Sequence, residues 1–162
     1  RGGVALDAAA FTRVRERMER PTPRLALGLA LRGVAHAAAD ISDGLSGDLG
    51  HILQASQVGA VLDTASLTGL VTSVEHFAAA RTSPAQNTLH PLNYVMAGGD
   101  DYELVFTAAP AQRAAVAEAA KASQTDVTHI GQITASQELV LRTAEGAMLP
   151  NTFASFDHFK SP

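Results

Sequence analysis

Two carboxylates bracket a hydroxyl in the segment Asp40-Ile41-Ser42-Asp43-Gly44. Asp40 and Asp43 offer the oxygen ligands that a hard cation such as Mg²⁺ prefers, and Ser42 adds a hydroxyl oxygen. A predicted helix follows, whose first amides and dipole favour a bound phosphate. Gly44 allows the backbone to approach a ligand closely. These residue types at this spacing predict a metal–nucleotide site.

The same segment also has a purely structural interpretation. Ser42 or Asp43 is a favoured residue type at a helix N-cap, and Asp40 could stabilise a turn. Because short acidic motifs often occur by chance, the local sequence leaves both interpretations open.

A second acidic segment reads Gly98-Gly99-Asp100-Asp101-Tyr102-Glu103-Leu104. The glycines predict a tight turn, and the adjacent acids, which repel each other, suit a site for a cation or a cationic substrate. Strand alternation would place Tyr102 and Leu104 on one face and Glu103 on the other. A solvated acidic turn after a glycine helix stop is the alternative.

A third segment, close to the carboxyl end, is rich in aromatic residues and reads Phe153-Ala154-Ser155-Phe156-Asp157-His158-Phe159. Aromatic side chains can stack on a flat heterocycle. A terminal aromatic group can instead serve only to pack the chain end onto the domain.

Helices and strands are predicted to alternate around these segments. Apolar residues at helical spacing indicate helices, and short runs of branched or aromatic residues indicate strands. The predicted helices cover residues 7–18, 24–33, 44–57, 70–80, 92–97 and 111–122, and the predicted strands cover residues 34–41, 61–64, 102–108, 127–133 and 138–142. We therefore expect an α/β (α+β) fold in which helices pack against a mixed sheet.

Composition excludes several classes of protein. Of the 162 residues, 46% are apolar, so a sizeable core can form. The chain has no cysteine, hence no disulfide, and its net charge of −4 argues against a nucleic-acid partner. Neither lysine, Lys121 or Lys160, follows a Gly-rich loop, so no P-loop is present. The most apolar stretch, residues 25–31, is too short to span a membrane.

Taken together and in this order, the three segments resemble those of thiamine-monophosphate kinases, and the resemblance extends over nearly the whole chain. The matching segments are Arg20-Pro21-Thr22-Pro23-Arg24, Asp40-Ile41-Ser42-Asp43-Gly44-Leu45, Gly47-Asp48-Leu49-Gly50-His51-Ile52, Gly98-Gly99-Asp100-Asp101-Tyr102-Glu103-Leu104, Ile130-Gly131-Gln132-Ile133 and Phe156-Asp157-His158-Phe159. The combination is far more specific than any single segment.

The resemblance implies transfer of the γ-phosphoryl group of ATP to thiamine monophosphate, which gives thiamine diphosphate and ADP. It implies that Asp40 and Asp43 bind Mg²⁺, with several ions expected, and that Ser42 contacts ATP. It also implies that Asp100 meets the thiamine moiety and that Phe156 packs on its ring. Many members of the family have Glu in place of Asp100, and some have Tyr in place of Phe156, so the charge and the ring are kept.

The resemblance further implies a fold similar to that of the carboxyl-terminal domain of aminoimidazole ribonucleotide synthetases. In such proteins an N-terminal half supplies further metal-binding acids and forms a homodimer. The chain begins Arg1-Gly2-Gly3, with neither Met nor a signal-peptide pattern, so we expect a piece of a longer protein, with a processed natural terminus as the alternative. Because the family's further metal-binding acids lie in the N-terminal half, the resemblance implies that this chain alone is folded but inactive. The absence of cysteine is compatible with the cytoplasmic location that we expect. Residues 1–33 are predicted to be a helical linker from the N-terminal domain, and residues 34–162 the carboxyl-terminal α/β domain.

Two other functions remain open from the sequence. One is another ATP-dependent enzyme of the same superfamily, such as a selenophosphate synthetase or a hydrogenase-maturation factor. Such proteins should lack the second acidic segment joined to the aromatic tail. The other is a non-catalytic module that only binds a phosphorylated ligand.

Overall fold

A computed structural model describes residues 7–71, 91–99 and 102–153. The helices are α1 (Ala8–Glu19), α2 (Leu25–Ala30), α3 (Leu45–Ser56), α4 (Thr64–Gly69), α5 (Pro91–Ala97) and α6 (Arg113–Ala122), with a 3₁₀ turn at Pro110–Gln112 before α6. The strands are β1 (Ala35–Ile41), β2 (Gly59–Asp63), β3 (Glu103–Ala108), β4 (Gly131–Thr134), β5 (Leu139–Arg142) and β6 (Met148–Pro150).

These strands form two sheets in the described part of the chain. β1 and β3 pair in antiparallel fashion, with Asp40 opposite Leu104 and Ile41 opposite Glu103. The second sheet has the order β4-β2-β5-β6, in which β2 and β5 are parallel and the other pairs are antiparallel. The mixed α/β class predicted from the sequence is confirmed, although the strands divide between two sheets.

The larger apolar core lies between α3, α4, α5 and both sheets. Its largest fully buried side chains are those of Leu45, Leu67 and Met96, all less than 2% exposed. A smaller core contains Leu27 of α2, Leu31 just after that helix, and Ala119 of α6. Burial of these side chains supplies the main driving force for packing the helices on the strands.

A β-bulge lets strand β1 contact both cores. Ala35 lies opposite Ala108 and Ala37 opposite Thr107, so two residue steps on β1 match one step on β3. Since side chains alternate along a strand, the extra residue reverses the alternation. Ala35 therefore packs on the smaller core, whereas Ala39, further along β1, packs on the larger one.

Several predicted elements differ from those observed. A helix was predicted at residues 70–80, but the described helix of this region is α4, which ends at Gly69; residues 72–90 lie outside the described residues. The sequence gives little sign of α4 because Leu67 is its sole buried side chain. β4 begins at Gly131, four residues later than predicted, and β6 was not predicted because all three of its residues are exposed.

Arginines tie the segment before α2 to β3. Arg24 donates two hydrogen bonds to the carboxylate of Glu103, at 2.8 and 2.9 Å, and Arg17 of α1 donates a further one. Burial by itself would raise the pKa of Glu103, but the hydrogen bond from Arg24 and the two positive charges outweigh it and lower that pKa. Glu103 is thus held as a carboxylate within the second acidic segment.

No helix within the described ranges is both long enough and apolar enough to cross a membrane.

Replacing Glu103 with Gln should lower the free energy of unfolding by about 1 kcal/mol at neutral pH, because water weakens a partly exposed ion pair. The stabilisation by Glu103 is fully present above its ordinary pKa of 4.5 and is lost as the pH falls through the lowered value. The difference between the wild type and the variant should therefore shrink at acidic pH, as measured by urea unfolding. Glu118→Gln, at an exposed position of α6, is the control. A difference that stays constant with pH would contradict this account.

Candidate functional site

The first acidic segment lies where β1 ends and α3 begins. Asp40 is the penultimate residue of β1 and is exposed, Ser42 is exposed, and Asp43 is half-buried. The prediction that this segment joins a strand to a helix is confirmed. The two carboxylates and the hydroxyl therefore lie within four consecutive residues, at the end of β1 and in the connection that follows it.

The buried carboxylate of Asp48, in the first turn of α3, holds this connection. Its Oδ2 accepts the amide of Ser42 at 2.8 Å and the amide of Asp43 at 3.1 Å. The N-cap residue of α3 is Gly44, and this N-cap position carries no side-chain cap hydrogen bond. The structural interpretation in which Ser42 or Asp43 caps α3 is therefore wrong. The amides of Ser42 and Asp43 are also already bonded, so they do not serve as phosphate donors at the helix start.

Glycines bring the first and second acidic segments together. Gly44 has a φ of +91°, and a Cβ there would lie 2.8 Å from the carbonyl oxygen of Met96 and 2.9 Å from that of Gly98. A Cβ at Gly99 would lie 2.6 Å from the carbonyl oxygen of Ser42. These contacts leave no room for a side chain, so the Gly-Gly turn packs directly on the connection between β1 and α3.

The second acidic segment continues into β3, which pairs with β1. Tyr102 has a φ of +55° and therefore lies outside the strand, which begins at Glu103. The prediction that Tyr102 and Leu104 share a strand face is wrong for that reason. Leu104 packs on the smaller core, whereas Glu103 binds Arg24. Asp100, predicted to meet the thiamine moiety, lies outside the described residues.

The third segment starts beside the first turn of α3. Asn151 donates from Nδ2 to the Ser46 hydroxyl at 2.7 Å, and that hydroxyl donates to the Phe153 carbonyl at 3.2 Å. The Phe153 amide donates to Asn151 Oδ1 at 3.1 Å, which closes the network. Phe156, predicted to pack on the thiamine ring, lies outside the described residues. The first turn of α3 thus holds the start of the aromatic segment as well as the first acidic one.

The residues of the first segment fit a magnesium ion in donor chemistry. Mg²⁺ prefers carboxylate and water oxygens and is commonly held by one or two protein carboxylates. Asp40 and Asp43 provide two such groups, and Ser42 provides a hydroxyl. In the described ranges no three His, Cys, Asp or Glu side chains form a group that could enclose an ion. The donor set is therefore suited to an ion that takes its other ligands from water, from a nucleotide or from another part of the protein.

Sequence reasoning missed Asp48, Ser46 and Asn151 as residues that support the site. Asp48 and Ser46 are both buried, at 7% and 9% exposure. An acidic residue in the first turn of a helix is a common pattern that by itself indicates only a favourable interaction with the helix dipole. The contact of Ser46 to Phe153 joins residues 107 positions apart and depends on how distant segments pack, whereas the contacts of Asp48 to Ser42 and Asp43 span only six and five residues.

Gly44→Ala should lower the free energy of unfolding by at least about 2 kcal/mol, because the positive φ and the close carbonyls both exclude a methyl group. Gly50→Ala, within α3, is the matched control. A Cβ at Gly50 would meet no atom within 4 Å, so this variant should gain up to about 1 kcal/mol. Chemical unfolding of both variants tests the pair, and equal effects would refute the close approach at Gly44.

Asn151→Ala should accelerate hydrogen exchange of the Phe153 amide by about five- to tenfold, because it removes the acceptor of that amide. Exchange followed by NMR is the measurement. Gln137→Ala, at an exposed site, should leave this amide unchanged. An unaltered rate in Asn151→Ala would mean that the network does not hold the start of the third segment.

A family model matches most of the chain. It is described as "AIR synthase related protein, C-terminal domain" and matches residues 2–144.

Curated and solved relatives agree with this match. The thiamine-monophosphate kinase of Escherichia coli K12 is 38% identical over 143 residues, which are 88% of this chain and 41% of that protein. The crystal structure of thiamine-monophosphate kinase from Stenotrophomonas maltophilia is 38% identical, with a TM-score of 0.66, over 85% of this chain and 40% of that one. The chain therefore spans about two fifths of the length of these relatives.

More distant structures share the fold alone. AaThiL complexed with AMPPCP and TMP has a TM-score of 0.65 at 22% identity, over 92% of this chain and 44% of that one. The hydrogenase maturation protein HypE of E. coli has a TM-score of 0.63 at 16% identity, over 91% of this chain and 46% of that one. Because the family match extends over 143 of the 162 residues, this chain belongs to the AIR synthase related proteins, as their C-terminal domain.

Proposed function

We propose that this chain is the carboxyl-terminal part of a kinase that phosphorylates thiamine monophosphate to thiamine diphosphate with ATP. The observation that carries the proposal is the meeting of the three segments at the first turn of α3, in a chain 38% identical to a thiamine-monophosphate kinase. At that turn, the first acidic segment would bind the cation and nucleotide, and the other two segments would bind the organic acceptor.

In the proposed reaction, a phosphate oxygen of thiamine monophosphate forms a bond to the γ-phosphorus of ATP. The bond between that phosphorus and the β–γ bridging oxygen breaks, and ADP leaves. Such transfers depend on alignment of the two substrates and on neutralisation of charge, with little covalent participation by the protein. Magnesium ions, when bound, would offset the negative charge of the phosphates.

Each predicted site residue has one task in this proposal. Asp40 and Asp43 would hold Mg²⁺, and Ser42 would contact ATP through its hydroxyl. Asp100 would meet the cationic thiamine moiety, and Phe156 would pack on its ring. The negative charge of Asp100 and the aromatic ring of Phe156 both suit a flat cation.

Other features of the whole protein belong to the same proposal. We infer that an N-terminal half supplies further metal ligands and forms a homodimer, and that the protein works in the cytoplasm with small-molecule substrates alone. The division into a linker at residues 1–33 and a domain at residues 34–162 stays a prediction. Among the described residues, α2 of the linker packs on α6.

Formation of thiamine diphosphate by the full-length protein, given Mg·ATP and thiamine monophosphate, tests the proposal. Asp40→Asn should lower kcat/KM at least about 100-fold, since a charged ligand is lost, whereas Asp126→Asn at an exposed loop position should leave it unchanged. The 162-residue chain alone should be folded yet make no product.

Other outcomes would redirect the proposal. A folded full-length protein without product would refute the substrate, and ATP turnover independent of thiamine monophosphate would favour another enzyme of the superfamily. Unchanged turnover in Asp40→Asn would favour a module that only binds a phosphorylated ligand.

A further inference from the structure

We propose that Asp48 is a positioning residue for the nucleotide and cation. By binding the backbone of Ser42 and Asp43, its carboxylate fixes the direction in which the side chains of these two residues meet Mg·ATP. The inference rests on the proposed function for the roles of Ser42 and Asp43, and on the geometry of α3 for the role of Asp48.

The burial of Asp48 indicates that its carboxylate has a specific task. The residue is 7% exposed, and an ion pair with Asp48 is absent from the described part of the chain. Burying a carboxylate is unfavourable unless hydrogen bonds replace those from water. The two amides provide these hydrogen bonds, and the dipole of α3 adds a smaller favourable contribution.

The geometry of the two hydrogen bonds fixes the conformation of the connection. One oxygen, Oδ2, accepts from two consecutive amides, so both peptide planes must turn toward a single point. Gly44 follows with a φ of +91°, a conformation that other residues rarely adopt. The backbone between β1 and α3 is thus held at three successive residues before the helix begins.

This restraint matters because pre-organised ligands bind a cation and nucleotide without first losing conformational freedom. With both amides bonded to Asp48, Ser42 and Asp43 can meet Mg·ATP only through their side chains or carbonyl oxygens. A shift of the connection would therefore weaken binding of Mg·ATP. It should affect the thiamine side less, since the aromatic segment is held separately through Ser46 and Asn151.

Two substitutions separate the position of the acceptor oxygen from its charge. Asp48→Asn removes the charge but keeps an oxygen that can accept both amides at the same place. Asp48→Glu keeps the charge but moves the oxygen by one methylene group. A positioning role therefore predicts that Glu is the more damaging substitution, whereas a purely electrostatic role predicts that Asn is.

The experiment uses the full-length protein and two readouts, the Kd for Mg·AMPPCP by calorimetry and the KM values for Mg·ATP and thiamine monophosphate. Asp48→Glu should raise the Kd and the Mg·ATP KM by about tenfold or more, and Asp48→Asn by less than about threefold. Both should leave the KM for thiamine monophosphate within about twofold. Asp126→Glu and Asp126→Asn, at an exposed site, are matched controls that should change neither constant.

Several outcomes would overturn the inference. The first is an increase in the Kd for Mg·AMPPCP that is as large in Asp48→Asn as in Asp48→Glu, or larger. The second is an equal change in the KM values for Mg·ATP and thiamine monophosphate. The third is a lowered Tm with an unchanged Kd. If Asp48→Glu does not fold, Asp48→Ala replaces it, because Ala removes the acceptor oxygen without adding volume. The calorimetric readout needs no acceptor substrate. A protein that binds Mg·AMPPCP but makes no thiamine diphosphate would refute the proposed reaction while still testing Asp48.

Discussion

A single buried carboxylate organises the end of the β1–β3 sheet. Asp48 lies in the first turn of α3, where the apolar face of the helix is anchored in the larger core through Leu45 and Leu49. The helix cannot shift without exposing these leucines, so Asp48 is a fixed point. Because Asp48 is bonded to the connection between β1 and α3, the packing of α3 in the core also fixes the position of that connection.

The same helical turn connects segments that are far apart in the sequence. Ser46 bonds the chain near Phe153, more than a hundred residues away. The Gly98-Gly99 segment also packs against the connection, where a Cβ at Gly44 or Gly99 would come too close to a backbone carbonyl. Close packing of backbone on backbone couples the first two segments, whereas the third segment is held separately through the Ser46 hydroxyl. This arrangement suits a reaction in which two substrates must be aligned.

The acidic side chains near this turn differ in their surroundings. Some are bonded within the protein, and Asp40 is exposed. Glu103 is bound by Arg17 and Arg24, and Asp48 by backbone amides, so both are committed to holding the protein together. Asp40 is exposed at the end of its strand. The proposed phosphoryl transfer needs carboxylates that can be shared with a cation, and in that proposal Asp40 and Asp43 supply them.

The sequence by itself determined the mixed α/β class, the bounds of α3 and β1 to within about one residue, and the family. These follow from local periodicity, from glycine and acidic residues at fixed spacing, and from a combination of segments that few families share. It did not reveal α4 and β6, since their local pattern shows little burial.

Only the tertiary structure decided that the Asp48 carboxylate accepts the amides of Ser42 and Asp43 before α3. It also decided that Glu103 forms an ion pair with Arg24. It also decided that β1 contacts two cores through a bulge. The Arg24–Glu103 ion pair joins residues 79 positions apart, so it depends on where the apolar cores place the two segments. The Asp48 hydrogen bonds span only six and five residues, but they depend on the position that the larger core gives to α3. The spacing of residue types along the chain specifies neither position.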